Sequence, residues 1–230
     1  ATSITVGIMD LAATMEVIAR RVAEGYSIVK IKGGANIESD IARVHEIRRR
    51  YPDIEIRFDA NCGYSAAEAL HFAHATADVG ITIYEQPVQR AELVALGEVS
   101  LVTAMSVMAD ESVMSARDCF RLGQKAGAGE QTLADMVNIK LMKVGGIDDA
   151  LQVNAVARAA GLESMVGCMD ECELSIAASL AFALSRRNVT AIDLDGHIDV
   201  LGDVSAGRCL KLVRGVLWPG ERRGFGLDGW

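Results

Sequence analysis

The sequence predicts an α/β fold of the TIM type, in which eight strand–helix units close into a (β/α)8 barrel. Short apolar runs alternate with helix-patterned segments along the 230 residues, as expected of parallel βαβ units. Charged residues end several of these runs at intervals of 25 to 30 residues, about the length of one unit. Half of the residues are hydrophobic, which is enough for one large core.

The first four units are recognised from their β-branched runs and from the residues that end them. The predicted strands of this half cover residues 3–8, 28–32, 54–59 and 81–85. The predicted helices cover residues 12–24, 36–50, 65–79 and 90–98. Apolar residues recur at helical spacing in the first two helices, which end before Gly25 and Pro52, and Ser65 is a typical N-cap of the third.

The second half repeats the pattern less regularly. The predicted strands cover residues 106–110, 136–141, 164–167 and 190–193. The predicted helices cover residues 115–125, 147–160 and 173–187. We interpret the glycine-rich stretch 127–132 as a surface insertion, and Gly145 with Gly146 as a tight turn. The pattern weakens after Gly196, and we expect residues 218–230 to be irregular.

Composition excludes several classes of protein. The net charge of −8 argues against a nucleic-acid partner, which requires a basic surface. The sequence has no apolar run of about 18 residues, the length that a membrane span needs, and its first ten residues lack the pattern of a signal peptide. The five cysteines are scattered, which favours free thiols in a reducing compartment. We therefore expect a cytoplasmic protein without a membrane partner.

The charged strand ends are the main functional signal. They are Lys32, Asp59, Glu85, Asp110, Lys140 and Asp193. In a barrel, the C-terminal ends of all strands ring one mouth, so these side chains would converge there. An open doubly wound sheet is the alternative fold, and it would spread the same residues along an edge.

Three of these residues predict a metal site. Asp59, Glu85 and Asp110 end consecutive strands, and carboxylate oxygens are the ligands that a hard divalent cation such as Mg²⁺ prefers. The alternative is that they are ordinary acids in loops. A metal that holds a substrate carboxylate stabilises the charge of an enediolate, which makes the neighbouring C–H group acidic.

The lysines predict the type of reaction. Lys30 and Lys32 share one face of a strand, and a lysine removes a proton only as a neutral amine. Lys30 and the metal would favour the neutral form of Lys32. Lys32 and Lys140 come from the second and sixth strands, on opposite sides of the ring. One would take a proton and the other would return it to the opposite face. The alternative for Lys140 is an ion pair with a nearby acid.

Taken together, the motifs resemble the enolase superfamily, in its muconate-lactonising-enzyme subgroup. The segments that carry the resemblance are residues 30–32, 59–61, 85–87, 110–112 and 138–146. The resemblance implies a (β/α)7β variant of the barrel and one Mg²⁺ per site, with Mn²⁺ as the alternative ion. The metal ligands that it implies are Asp59, Glu85 and Asp110. It also implies that Lys32 and Lys140 are the acid/base pair, with Lys30 as an auxiliary lysine.

Two further features are similar to the dipeptide epimerases, of which L-Ala-D/L-Glu epimerase is the best-known type. One is the run at 138–143, and the other is Asp193 with Asp195 at the eighth strand. The resemblance implies that this acidic pair binds the α-ammonium of a dipeptide, and that Cys168 and Met169 line the pocket. The implied activity is that of an isomerase acting on amino-acid derivatives. The alternative is that the acidic pair is a solvated strand end.

The sequence leaves other functions open. The same metal and lysines would serve a muconate cycloisomerase, an o-succinylbenzoate synthase or an N-acylamino acid racemase, whose substrates gain nothing from the acidic pair. The family also carries an N-terminal capping domain, which we do not recognise in this sequence. We expect either a fragment of a longer protein or, as another alternative, a non-catalytic barrel. We expect a catalytic barrel over residues 1–201 and an extension over 202–230 that would pack on the capping domain. A small-molecule carboxylate is the expected partner, and a homo-oligomer is left open.

Overall fold

The computed structural model describes residues 1–124 and 132–225, and its main body is a barrel of eight parallel strands. The strands are β1 (Ile4–Val6), β2 (Ile28–Lys32), β3 (Glu55–Asp59), β4 (Ile81–Glu85), β5 (Ser106–Ala109), β6 (Met136–Ile139), β7 (Glu163–Gly167) and β8 (Val189–Asp193). The helices are α1 (Leu11–Ala23), α2 (Ile37–Arg50), α3 (Ala66–Ala75), α4 (Leu93–Val102), α5 (Ala116–Leu122), α6 (Leu141–Val144), α7 (Ile147–Ala160) and α8 (Glu173–Leu184).

The strands pair in chain order from β1 to β8, which confirms the predicted barrel. The doubly wound alternative is wrong, because that fold reverses its strand order and this sheet does not. The ring is nearly closed between its first and last strands. There the Ser3 N–H donates to the Ile192 carbonyl at 3.4 Å, and the Ser3 hydroxyl donates to Asp193 Oδ1 at 2.6 Å.

Local sequence explains where several helices begin. The Asn36 side chain accepts the N–H of Ser39 at the start of α2, and Ser65 forms a capping box with Glu68 at the start of α3. Such contacts satisfy backbone donors that have no partner inside the helix. Ser115 caps α5 in the same way. Short polar residues therefore fix the points at which the chain turns into α2, α3 and α5.

Two apolar layers stabilise the barrel. The larger layer lies between the strands and the surrounding helices, and it includes the stacked rings of Phe58 and Phe72, whose centroids are 4.2 Å apart. A smaller cluster is formed by the buried side chains of Ile83, Met108, Met136 and Met165. Close packing of both layers holds the strand ends in fixed relative positions.

Besides shifts of a few residues at element ends, the structure differs from the predicted elements in two places. Residue 141 was expected to extend β6, but it begins α6, a single turn that ends at Gly145 with a positive φ of 112°. Residues 218 and 219 are not irregular as expected, since β9 (Leu210–Val213) pairs with β10 (Val216–Pro219), whereas residues 220–225 form no helix or strand. Between β8 and β9 the described chain forms turns and no helix, which agrees with a (β/α)7β arrangement. The predicted insertion at 127–132 lies almost entirely outside the described residues.

The segment after β8 is attached to the barrel by a buried carboxylate. Glu173, the first residue of α8, is 5 % exposed. It accepts the backbone N–H groups of Gly207, Arg208, Cys209 and Leu210 at 2.6 to 3.1 Å. In return, Asp203 Oδ2 accepts the Glu173 N–H at 2.6 Å. Among the described residues, the structure has no helix with the length and apolar character to cross a membrane.

Candidate active site

The parallel register brings the predicted residues to one level of the ring. Lys32 pairs with Asp59 across β2 and β3, and Asp59 pairs with Glu85 across β3 and β4. A cavity of about 630 Å³ opens at this mouth. Its lining includes Lys30, Lys32, Asp110, Glu111, Lys140, Lys143, Cys168, Met169, Asp193 and Asp195.

Lys30 lies among three carboxylates at the centre of the site. Its Nζ is 3.1 Å from Asp59 Oδ2, 2.7 Å from Glu85 Oε2 and 2.9 Å from Asp193 Oδ2. Burial lowers the pKa of Lys30, but Asp193, Glu85 and Asp59 outweigh burial and hold that pKa well above its usual value. Lys30 is therefore a fixed positive charge within the acidic cluster.

Lys32 contacts the same cluster from the solvent side. Its Nζ lies 2.7 Å from Asp59 Oδ2, and its side chain is 26 % exposed, against 3 % for Lys30. The two lysines thus point the same way from β2 and share one carboxylate oxygen. Lys32 is the lysine of this pair that a small molecule in the cavity can approach.

Asp110 and two lysines form a second group across the ring. Lys140 Nζ is 2.7 Å from Asp110 Oδ2. Lys143 contacts Asp110 Oδ1 and also donates to the carbonyls of Asp110 and Asn138. Burial raises the pKa of Asp110, but the ammonium groups of Lys143 and Lys140 outweigh it and hold that pKa below its usual range. Lys140 directly follows β6. Its strand is four strands from that of Lys32 in an eight-stranded ring.

Glu85 connects the two groups. Its Oε2 contacts Lys30, and its Oε1 accepts an N–H from the Asn138 side chain at 2.8 Å. Burial and the neighbouring Asp59 raise the pKa of Glu85 to about 7. Burial and the neighbouring carboxylate thus both disfavour the ionised form of Glu85 at the centre of the site.

The residues predicted to hold a metal fit a hard divalent cation by their chemistry. Asp59, Glu85 and Asp110 are buried oxygen donors at the ends of adjacent strands, which is the donor set that such a cation prefers. Within residues 1–124 and 132–225, no three acidic, histidine or cysteine side chains have the spacing of a formed metal site. The three carboxylates contact lysine ammonium groups instead.

The predicted substrate residues lie where β7 and β8 end. Asp193 is buried and bonded to Lys30 and Ser3, whereas Asp195 lines the cavity and accepts the Thr5 N–H at 2.6 Å. Burial and the charge of Asp193 raise the pKa of Asp195 to about 6. Of the two acids, only Asp193 forms an ion pair with a cationic side chain of the described residues.

Cys168 and Met169 line the same side of the cavity. The Cys168 thiol donates to the Asp193 carbonyl at 3.2 Å and accepts the Gly196 N–H at 3.3 Å. The segments after β7 and β8 pack closely here, because a Cβ on Gly196 would lie only 1.9 Å from the Met169 carbonyl oxygen. Cys168 therefore helps to fix the turn that carries Asp195.

Sequence reasoning missed several residues that support the site. Lys143 follows Lys140 at a spacing of three, which could have indicated a shared partner. Gln86 Oε1 accepts the N–H groups of Asp110 and Ser112, so it connects the segments after β4 and β5. Its position directly after Glu85 could have indicated this supporting role. The pairing of Arg43 with Asp40 beneath Lys32 had no signal in the pattern beyond two charges on a helix.

Comparisons with known proteins agree with this geometry. Residues 13–229 match the family model described as enolase C-terminal domain-like. The chain is 40 % identical to the L-Ala-D/L-Glu epimerase of Bacillus subtilis over 210 residues, which are 90 % of this chain and 56 % of that protein.

Solved structures show the same likeness. A substrate-liganded complex of the Bacillus subtilis L-Ala-D/L-Glu epimerase superposes with a TM-score of 0.92 at 36 % identity, covering 99 % of this chain and 63 % of that one. The dipeptide epimerase of Enterococcus faecalis complexed with Mg and L-Leu-L-Tyr gives a TM-score of 0.87 at 35 % identity, covering 98 % and 62 %. The chain thus spans less than two thirds of the length of these relatives. With the family model matching nearly all of its length, the chain belongs to the enolase C-terminal domain-like family.

Proposed function

We propose that this chain forms the catalytic barrel of a Mg²⁺-dependent dipeptide epimerase, an isomerase that inverts the carbon next to the terminal carboxylate. The observation that carries the proposal is the pair of lysines four strands apart, Lys32 and Lys140, on either side of a buried acidic cluster. Relatives that are named dipeptide epimerases, one of them complexed with Mg and a dipeptide, support the same assignment.

Asp59, Glu85 and Asp110 are the residues that would hold the metal. Mg²⁺, or Mn²⁺ as the alternative ion, would bind the substrate carboxylate and stabilise the negative charge that develops when the α-proton leaves. Lys30 contributes a permanent positive charge beside two of these acids, Asp59 and Glu85, and Asn138 orients Glu85 through its side-chain amide.

Lys32 and Lys140 are proposed to move the proton. One lysine removes it from the α-carbon of one epimer, and the other donates a proton to the opposite face. Each lysine plays the reverse role for the other epimer, as microscopic reversibility requires. Both ammonium groups contact carboxylates that belong to the proposed metal site, so metal binding and proton transfer would share the same acids.

Asp193 and Asp195 are proposed to select a substrate with a free ammonium group. Asp195 would accept hydrogen bonds from the α-ammonium, and Asp193 would act through Lys30 and the strand end that it holds. Cys168 and Met169 would contact the first residue of the dipeptide. The boundary between a barrel over 1–201 and an extension over 202–230 stays a prediction, as do the cytoplasmic location and the homo-oligomer.

Isotope exchange in D₂O tests the proposal on the intact protein. With Mg²⁺ and a panel of dipeptides, NMR should show loss of the substrate α-proton together with epimerisation. Removal of Mg²⁺ by chelation should stop both. Lys32→Ala and Lys140→Ala should each lower epimerisation by on the order of 10²- to 10⁴-fold, the usual contribution of a general acid or base.

Lys211→Ala is the matched control, because this lysine is exposed and pairs with Glu221 away from the site. It should leave both rates unchanged. If exchange at the α-carbon persists at the wild-type rate in both Lys32→Ala and Lys140→Ala, the assignment of the bases is wrong. If no dipeptide exchanges in the wild-type protein, the proposed activity itself is wrong.

A further inference from the structure

A buried ion pair lies directly beneath the backbone that carries Lys32. Arg43 and Asp40 both belong to α2, and each side chain is only 2 % exposed. Arg43 Nη2 contacts Asp40 Oδ1 and also donates to the Lys32 carbonyl at 2.9 Å. The arginine therefore connects the helix to the end of the β2 strand.

Asp40 holds the next part of the same turn. Its Oδ2 accepts the Gly34 N–H at 2.9 Å and the Tyr64 hydroxyl at 2.6 Å. The two charges thus bond the backbone on both sides of Gly33. Because Tyr64 follows β3, the network also connects this turn to the neighbouring strand.

This turn has no room to adjust by itself. A Cβ on Gly33 would lie 2.2 Å from the Phe58 ring, and one on Gly34 would lie 2.0 Å from the Ala60 carbonyl oxygen. Gly34 also has a positive φ of 93°, which side chains rarely adopt. The position of Lys32 is consequently set by how α2 holds the turn.

Stability alone gives a weak account of this ion pair. A buried pair seldom stabilises a fold more than apolar side chains of the same size would, because both charges lose their hydration. In the described part of the chain, Nε and Nη1 of Arg43 have no hydrogen-bond partner, which adds to the cost. Retaining two charges here is better explained by the geometry that they impose.

Lys140 is held by different means. Its carbonyl accepts the N–H groups of Lys143 and Val144 within α6, and its Nζ contacts Asp110. The two lysines therefore depend on separate supports on opposite sides of the ring. A defect in one support should affect one lysine and spare the other.

We propose that the Arg43–Asp40 pair is a positioning device for Lys32 and that it governs only one of the two proton transfers. This inference rests on the proposed function, because it assigns one lysine to each epimer. It predicts an asymmetry that a merely structural role cannot produce. Loss of the α-proton should slow for one epimer and continue for the other.

The test measures α-proton loss in D₂O separately from each epimer of an active dipeptide, with the intact protein and Mg²⁺. Lys32→Ala first identifies which epimer depends on Lys32. In Arg43→Met, proton loss from that epimer should fall on the order of 10- to 100-fold, the usual effect of misplacing a catalytic group by about 1 Å. The rate of α-proton loss from the other epimer should change less than about threefold. The rate of epimerisation should fall in both directions.

Two further variants keep the test decisive. The double variant Asp40→Asn with Arg43→Met leaves no lone buried charge, so it should fold if Arg43→Met does not, and it should show the same asymmetry. Ile47→Ala removes a fully buried side chain of the same helix and is the control for general destabilisation, with an unchanged ratio of the two rates.

The positioning role would be overturned if the rate of α-proton loss fell equally for both epimers in the Arg43 variants. It would also be overturned if that rate fell for neither epimer. Failure of the proposed function has a different signature, since the wild-type protein would then exchange neither epimer.

Discussion

At the scale of single residues, the carboxylates at the strand ends differ in what they contact. Asp193 is neutralised by Lys30, and Asp110 is shared between Lys140 and Lys143. Asp195 has no such cation among the described residues, and burial with the charge of Asp193 raises its pKa to about 6. A cationic ligand would therefore supply Asp195 with the counter-charge that Asp193 and Asp110 already have.

Replacement of Asp195 by Asn should reduce the use of dipeptides that have a free ammonium group. We expect kcat/KM to fall on the order of 10- to 100-fold, the value of a hydrogen bond between charged groups, with a much smaller loss for N-acetylated dipeptides. Steady-state kinetics on the two substrate classes measure the difference. Equal losses would favour an N-acylamino acid racemase or another member of the superfamily.

The same residue should shape the acid limb of the pH profile. Because the pKa of Asp195 is raised to about 6, its carboxylate becomes protonated as pH falls through that value, and binding of a cationic substrate weakens. KM for a dipeptide should therefore rise below about pH 6 in the wild-type protein. This rise should be absent in Asp195→Asn, and a rise that persists there would assign the limb to another group.

At the scale of secondary-structure elements, one helix terminus holds the segment 203–210 that follows β8. Four backbone N–H groups of residues 207–210 converge on Glu173 at the start of α8. The Asp203 and Ser205 side chains accept N–H groups from the first turn of the same helix. The helix and the segment thus satisfy one another's backbone groups.

Glu173→Gln should destabilise the protein by about 2–3 kcal/mol, because charge-assisted hydrogen bonds are lost and an amide N–H would face backbone donors. Urea unfolding followed by circular dichroism measures the change in the free energy of unfolding. Glu221→Gln alters an exposed carboxylate of the same segment and should have little effect. A wild-type midpoint in Glu173→Gln would show that the four hydrogen bonds contribute nothing net.

The strands and most helices could be predicted from the sequence because their signals are local. β-Branched runs and helical spacing identified β4 and α7 at the bounds found in the structure. The β9–β10 hairpin was missed although Arg214 and Gly215, both with positive φ, form a two-residue turn of the kind that hairpins favour. Asn-Gly would have marked that turn more clearly than Arg-Gly does. The network around Arg43 could not be predicted, since it depends on how α2 packs against the end of β2.

At the scale of the whole molecule, the regular spacing of charged strand ends predicted which side chains lie together at the mouth of the barrel. Lys32, Asp59 and Glu85 lie in register on adjacent strands, as the interval between them indicated. The spacing gave no information on ion pairs, because side-chain directions and partners depend on the closed ring. The contacts of Lys30 with three acids are the main example.

Binding of Mg²⁺ should stabilise the whole barrel if the acidic cluster holds it. At a free concentration about 100-fold above Kd, a ligand that binds only the folded state adds about 2.7 kcal/mol to the free energy of unfolding. Thermal unfolding with and without Mg²⁺ should show a higher Tm with the ion. Glu85→Gln should remove this shift, while Glu163→Gln, at the opposite end of the barrel, should preserve it. An unchanged Tm at saturating Mg²⁺ would argue against the metal site.

The proposed catalytic and recognition residues lie at the ends of different strands, and this separation has a consequence for evolution. The proposed acids and amines lie at the ends of β2 through β6, whereas the side chains assigned to recognition lie at the ends of β7 and β8. The loops after β7 and β8 can be substituted without any change of sequence in β2 through β6. Natural selection acting on two loops can thus exchange the recognised molecule while the inherited reaction is kept.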